Sequence, residues 1–180
     1  VANKILIEEI NITNWSPTGL GFSIVADTNA LAGEFTRLIP TTNANTRLLE
    51  NTSLSAALNT GTRQFAIFMT AHNQSSTISY LVSVRVETAG SNYGLNRTIV
   101  IPASDDNPRI FKIGLYSLPA APTKIRMSIT PSAISASAGD ALDMDYMLVV
   151  AIDENTKTIS IGQDNLDFDA LEVDHNSLEE

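Results

Sequence analysis

Cysteine is absent from all 180 residues, which removes a disulfide scaffold, a thiolate-bound zinc and a cysteine nucleophile together. Cations are few: 11 Lys and Arg stand against 20 Asp and Glu, for a formal net charge of −9. Proteins that track a phosphate backbone gather Lys and Arg to release its counterions, so nucleic acid is not an expected partner. No apolar run approaches the roughly 18 to 20 residues that cross a bilayer as a helix, and membrane insertion is not expected. The strings G-x-S-x-G, G-x-x-x-x-G-K-[ST], H-E-x-x-H and G-x-G-x-x-G do not occur, so the common nucleophile elbow, phosphate loops and zinc helix have no footing. His72 and His175 fall in a polar loop and an acidic stretch, with no nucleophile or second ligand beside either. General acid or base work needs a positioned partner, so no catalytic residue is assigned and no enzyme is expected.

What is present is apolar residues, 43% of the chain, arranged in strict alternation. Ile78, Tyr80, Val82, Val84 and Val86 alternate with Ser79, Ser83, Arg85 and Glu87; Phe111, Ile113 and Leu115 alternate with Lys112 and Gly114; Ile125, Met127 and Ile129 alternate with Arg126 and Ser128. A period of two marks strands with one face on a core and one toward solvent. The longest run sets Leu142, Met144, Tyr146, Leu148, Val150 and Ile152 on one side, with Asp143 and Asp145 on the other. Weaker signals lie at 4–10, 20–26, 63–71, 97–101 and 157–161. Clusters of Ser, Thr, Asn, Gly and Pro separate them, as in Ser16-Pro17-Thr18-Gly19 and Pro119 to Pro122. The pattern predicts an all-β, antiparallel β-sandwich of about nine strands. Tyr80, Val82, Val84, Met127, Ile129, Met144, Tyr146 and Leu148 are its expected core. Residues 28–38 and 48–58 invite a turn or two of helix at most.

The chain opens at Val1 with no charged stretch leading into an apolar one, as expected of a processed product or an excised domain. Composition shifts near residue 163, which predicts a sandwich domain over 1–162 and an acidic tail over 163–180. Residues 158–180 hold seven acids (Asp164, Asp167, Asp169, Glu172, Asp174, Glu179 and Glu180) and no Lys or Arg. Within the tail, Leu166, Phe168, Leu171 and Val173 need cover, and a strand added to an open sheet edge would provide it. That makes the segment a candidate for docking to other protein subunits.

Two further sets of residues are candidate sites. Asp143 and Asp145 stand two apart on one strand and share a face, a geometry that suits a structural calcium ion; no other cofactor is expected. Alternate acids on a solvated strand are also common without any metal. Trp15 and Tyr93 are the candidate ligand-stacking rings, though a lone Trp more often anchors a core.

From Thr123 to Glu154, an alternating strand, Thr123-Lys124-Ile125-Arg126-Met127-Ser128-Ile129-Thr130-Pro131, precedes a polar turn and a closing strand, Leu142-Asp143-Met144-Asp145-Tyr146-Met147-Leu148-Val149-Val150. This stretch resembles the last strands of galactose-binding-like jelly rolls. That group includes carbohydrate-binding modules and parts of phage tail and other virion proteins. The resemblance implies a non-catalytic module of a virion or other extracellular assembly, making protein contacts as a homo-oligomer or within a larger assembly, with glycan as a further ligand. Its alternative is a carbohydrate-binding module attached to a glycan-active enzyme. A glycan hydrolase is the third reading, because its two carboxylates need only meet in space.

Overall fold

The alternating segments become strands that pair antiparallel throughout the described part of the molecule. The computed structural model describes residues 6–17, 21–41, 47–51, 64–88, 94–104, 107–119 and 122–151. The strand expected at 157–161, Tyr93 and the acidic segment 163–180 lie outside those residues. In chain order the strands are β1 (Leu6–Asn11), β2 (Ser16–Pro17), β3 (Phe22–Ala26), β4 (Glu34–Leu38), β5 (Arg47–Asn51), β6 (Gln64–Asn73), β7 (Tyr80–Thr88), β8 (Gly94–Ile101), β9 (Arg109–Ser117), β10 (Pro122–Pro131) and β11 (Leu142–Ala151). One sheet runs β3-β4-β11-β6-β9, with β1 also pairing to β11, and the other runs β2-β5-β10-β7-β8. The two form a jelly-roll β-sandwich.

The helical turns expected within 28–38 and 48–58 are not found where the structure describes them. Residues 34–38 form β4 and 47–51 form β5. Among the described residues helix is limited to single 3-10 turns at Ile12–Asn14 and Ala138–Asp140. Over five residues, periodicity cannot separate helix from strand. The hydrogen bonds that β3 and β11 offer to β4, and β2 and β10 offer to β5, decide the outcome.

The core lies between the sheets. Phe65, Ile67 and Met69 of β6 face Val82, Val84 and Val86 of β7 and Met127 and Ile129 of β10, all buried. Tyr116 of β9 stacks on Phe65 with ring centroids 5.5 Å apart. Its hydroxyl crosses the core to donate to the Val84 carbonyl at 2.8 Å. At one edge Arg97 of β8 reaches across to the other sheet: it donates to the Leu115 carbonyl of β9 at 3.0 Å and lies over the Tyr116 ring. Gly114 leaves room for it, since a Cβ there would stand 2.9 Å from Arg97 Cγ.

The last strand departs from strict alternation. In the β11–β6 ladder Met144 pairs with Ala71 and Met147 with Met69, so Asp145 and Tyr146 together oppose Thr70. This β-bulge reverses the inward phase of β11. Leu142, Met144, Met147 and Val149 point into the main core. Leu148 and Val150 join Ala66 and Phe68 in a second buried cluster, and partly buried Tyr146 packs against it. Of the expected core residues, Tyr146 and Leu148 therefore lie on the outer side of the larger sheet.

Val84→Ala removes two methyl groups from a site with 0% exposure and should lower the unfolding free energy by about 1–3 kcal/mol. Urea denaturation of the two proteins, with an unchanged slope, is the check; a change below about 0.5 kcal/mol would mean the site is not packed as described.

Candidate functional site

The hairpin between β3 and β4 supplies one wall of a cleft. Asp27 opens the turn: its N–H donates to the Gly33 carbonyl at 2.9 Å, and its side chain accepts from the Asn29 N–H at 2.8 Å. Gly33 closes it with φ 77°, a left-handed conformation that glycine adopts without strain. The tip is tied to β11, because the Leu31 N–H donates to both carboxylate oxygens of Asp145, at 3.1 and 3.0 Å. Beneath the hairpin, on the face of the larger sheet turned away from the main core, lies a cleft of about 530 Å³. Asp27, Phe35, Arg37, His72, Asp145 and Tyr146 line it, with Gln74 and Asp143.

Its charges are arranged in a definite way. Arg37 Nε and Nη2 donate to Asp143 Oδ1 and Oδ2 at 2.7 and 2.8 Å, a two-point ion pair in which Asp143 is 8% exposed. Gln74 Nε2 donates to the same carboxylate, and the guanidinium lies over the Phe35 ring, 5.2 Å from its centroid. The hydrogen bond to Asp143 holds the Arg37 pKa above its usual value. Asp145 behaves oppositely to a well-paired acid: burial raises its pKa, the Leu31 N–H opposes that, and the charge of Asp27 adds to the rise. Neither Asp27 nor Asp145 has a cationic partner among the described residues.

Asp143 and Asp145 do line one cleft, as their spacing predicts, but Asp143 is not free for an ion. Both of its oxygens are engaged by a cation already in place. Among the described residues no group of three His, Cys, Asp or Glu side chains could hold a metal. Asp140 accepts from the Ser135 and Ser75 hydroxyls, both at 2.6 Å, which lower its pKa. Trp15 is 4% exposed within the main core; its ring is an anchor and offers no face to a ligand. Tyr93 and the docking residues Leu166, Phe168, Leu171 and Val173 lie outside the described residues. Sequence reading missed Phe35, Arg37 and Tyr146 as cleft residues. The alternation Phe35-Thr36-Arg37-Leu38 was the available signal for the first two.

A scan with protein-family models finds no match, and a search of curated proteins finds none either. Solved structures do match in fold. One is the first CBM36 domain of a multidomain xylanase from the hindgut metagenome of Trinervitermes trinervoides, with TM-score 0.50 and 9% identity, over 80% of this chain and 96% of that one. Another is the C-terminal CBM6 of a marine laminarinase from Zobellia galactanivorans, with TM-score 0.54 and 8% identity, over 80% and 98%. A third is the enzymatically active domain of tailspike protein 4 from bacteriophage CBA120, with TM-score 0.51 and 16% identity, over 78% of this chain but only 20% of that one. At these identities the likeness establishes the jelly-roll β-sandwich shared with carbohydrate-binding modules.

Two outcomes follow from the cleft's charges. Arg37→Ala strands a buried carboxylate and should cost on the order of 3 kcal/mol, most of it recovered in Arg37→Met/Asp143→Leu, where neither charge remains; a denaturant double-mutant cycle reads both. For Asp145 the folded pKa is raised, so the unfolded chain ionises first as pH climbs. Wild type should therefore lose stability relative to Asp145→Asn from the ordinary carboxylate range up to the raised value, and run parallel to it above. Melting temperatures of both proteins at a series of pH values test this, and a wild type that loses stability relative to Asp145→Asn as pH falls would reverse the assignment.

Proposed function

We propose that this chain is a non-catalytic binding module that holds a short run of glycan in the cleft beneath the β3–β4 hairpin. The observation that carries the reading is the cleft itself. Its volume of about 530 Å³ falls within the range of small-ligand sites, and such sites combine an apolar surface with a few placed polar groups. Tyr146 supplies a ring, while Gln74, His72 and Asn29 add hydrogen-bonding groups suited to sugar hydroxyls. The fold shared with carbohydrate-binding modules supports the same reading. Binding is favoured over hydrolysis because both oxygens of Asp143 are already held by Arg37, which takes that carboxylate out of any acid–base pair.

The setting we propose is a virion or other extracellular assembly, supported by the tailspike likeness in fold and by the acidic, apolar-studded segment 163–180. Within it, Leu166, Phe168, Leu171 and Val173 dock onto another subunit.

One set of measurements tests both parts. A glycan array followed by calorimetry should find a ligand whose affinity falls about ten-fold in Tyr146→Ala, with no turnover of it. A chain ending at residue 162 should bind that glycan unchanged while losing its oligomeric state. Absence of any glycan ligand overturns the first part, turnover converts the module to an enzyme, and unchanged oligomerisation removes the docking role.

A further inference from the structure

The cleft's polar groups are unequal in charge, and this bears on which glycan could occupy it. Among the described residues the guanidinium of Arg37 is the only permanent cation lining the cleft. Asp143 takes its Nε and Nη2 protons, and its face covers the Phe35 ring. It is thus unavailable as a free counter-charge for a ligand anion. Asp143 is neutralised in the same pair. Two carboxylates remain, Asp27 on the hairpin and Asp145 on β11, both lining the cleft and each held by backbone N–H groups. His72 lines the cleft from the neighbouring strand, and Tyr146 lines it with an aromatic ring, a group that attracts cations.

Resting on the glycan reading above, we infer that the cleft selects an amino sugar, whose ammonium group sits between Asp27 and Asp145, over neutral and acidic sugars. A uronate or sulfated sugar would bring a like charge against these two carboxylates, and like-charge juxtaposition discriminates strongly between partners. An N-acetylated sugar would fill the same space without the charge. A glucosamine unit brings a cation to two carboxylates that have no cationic partner among the described residues. The rise in the Asp145 pKa that Asp27 helps to cause agrees with two carboxylates awaiting a cation.

The test uses the full chain and three oligosaccharides of equal length: β-1,4-linked glucosamine, β-1,4-linked N-acetylglucosamine and α-1,4-linked galacturonate. Titration at about pH 6 keeps an amino group protonated. The glucosamine oligomer should bind about ten-fold or more tighter than its N-acetylated counterpart, with galacturonate weakest. The preference should shrink as salt rises from about 0.02 M to 0.5 M.

The protein's formal charge of −9 attracts cations everywhere, so the decisive comparison is Asp27→Asn and Asp145→Asn. Each keeps an oxygen to accept the hairpin's N–H bonds, and each should lower several-fold the ratio of glucosamine to N-acetylglucosamine affinity measured within the same variant. Equal binding of amine and N-acetylated oligomers, or a preference that survives both substitutions, overturns the inference and leaves the glycan reading standing. Failure of all three oligosaccharides to bind also overturns the inference, whereas the glycan reading falls only when the array yields no ligand at all.

Discussion

A single extra residue in the last strand sets what the larger sheet can do. Strand side chains alternate with a period of two, so an uninterrupted β11 would send Tyr146 and Leu148 into the core behind Met144. Because Asp145 and Tyr146 together oppose Thr70, the strand changes phase. Met147 and Val149 take over the inward positions. Two consecutive side chains, one charged and one aromatic, then emerge near the β3–β4 hairpin. Bulges of this kind commonly redirect a side chain beside a functional surface. The same phase change sends Leu148 and Val150 to the outer face, where with Ala66 and Phe68 they form a second apolar cluster behind Tyr146.

The Arg37–Asp143 pair is the electrostatic counterpart of that geometry. A carboxylate 8% exposed on a central strand would be costly alone, and a two-point guanidinium held over an aromatic ring meets that need. Its consequence for the cleft is that charge is divided between an ion pair, Arg37 of β4 with Asp143 of β11, and two carboxylates without a cationic partner among the described residues, Asp27 on the hairpin and Asp145 on β11. Most of these groups stand on strands, whose positions are set by ladders on both sides, so the surface is formed before any ligand arrives.

Much of this architecture was legible. The alternation from Ile78 to Val86 and from Ile125 to Ile129 predicted β7 and β10 and the correct inward residues, because both strands pair on either side without a phase change through those positions. The spacing of Asp143 and Asp145 placed both correctly on one surface. It could not disclose that Arg37, more than a hundred positions earlier, would take one of them, since that depends on β4 lying beside β11. β4 and β5 escaped notice because five residues carry too little periodicity to outweigh a helical alternative. The bulge left only a faint trace, two inward methionines three positions apart at Met144 and Met147, and strict alternation read through it.

The pairing of β1 with β11 has a mechanical side. Leu6 stands opposite Ala151, so the first and last described strands leave the sandwich next to each other at the same end. A pull applied through the two would meet their shared hydrogen bonds one rung at a time, as a zipper opens, instead of loading the whole ladder at once in shear. β11 would still be held by β6 on its other side. Under tension the sandwich would therefore shed its first strand at low force, and Ile10 with it from the core, while β11 kept its pairing to β6.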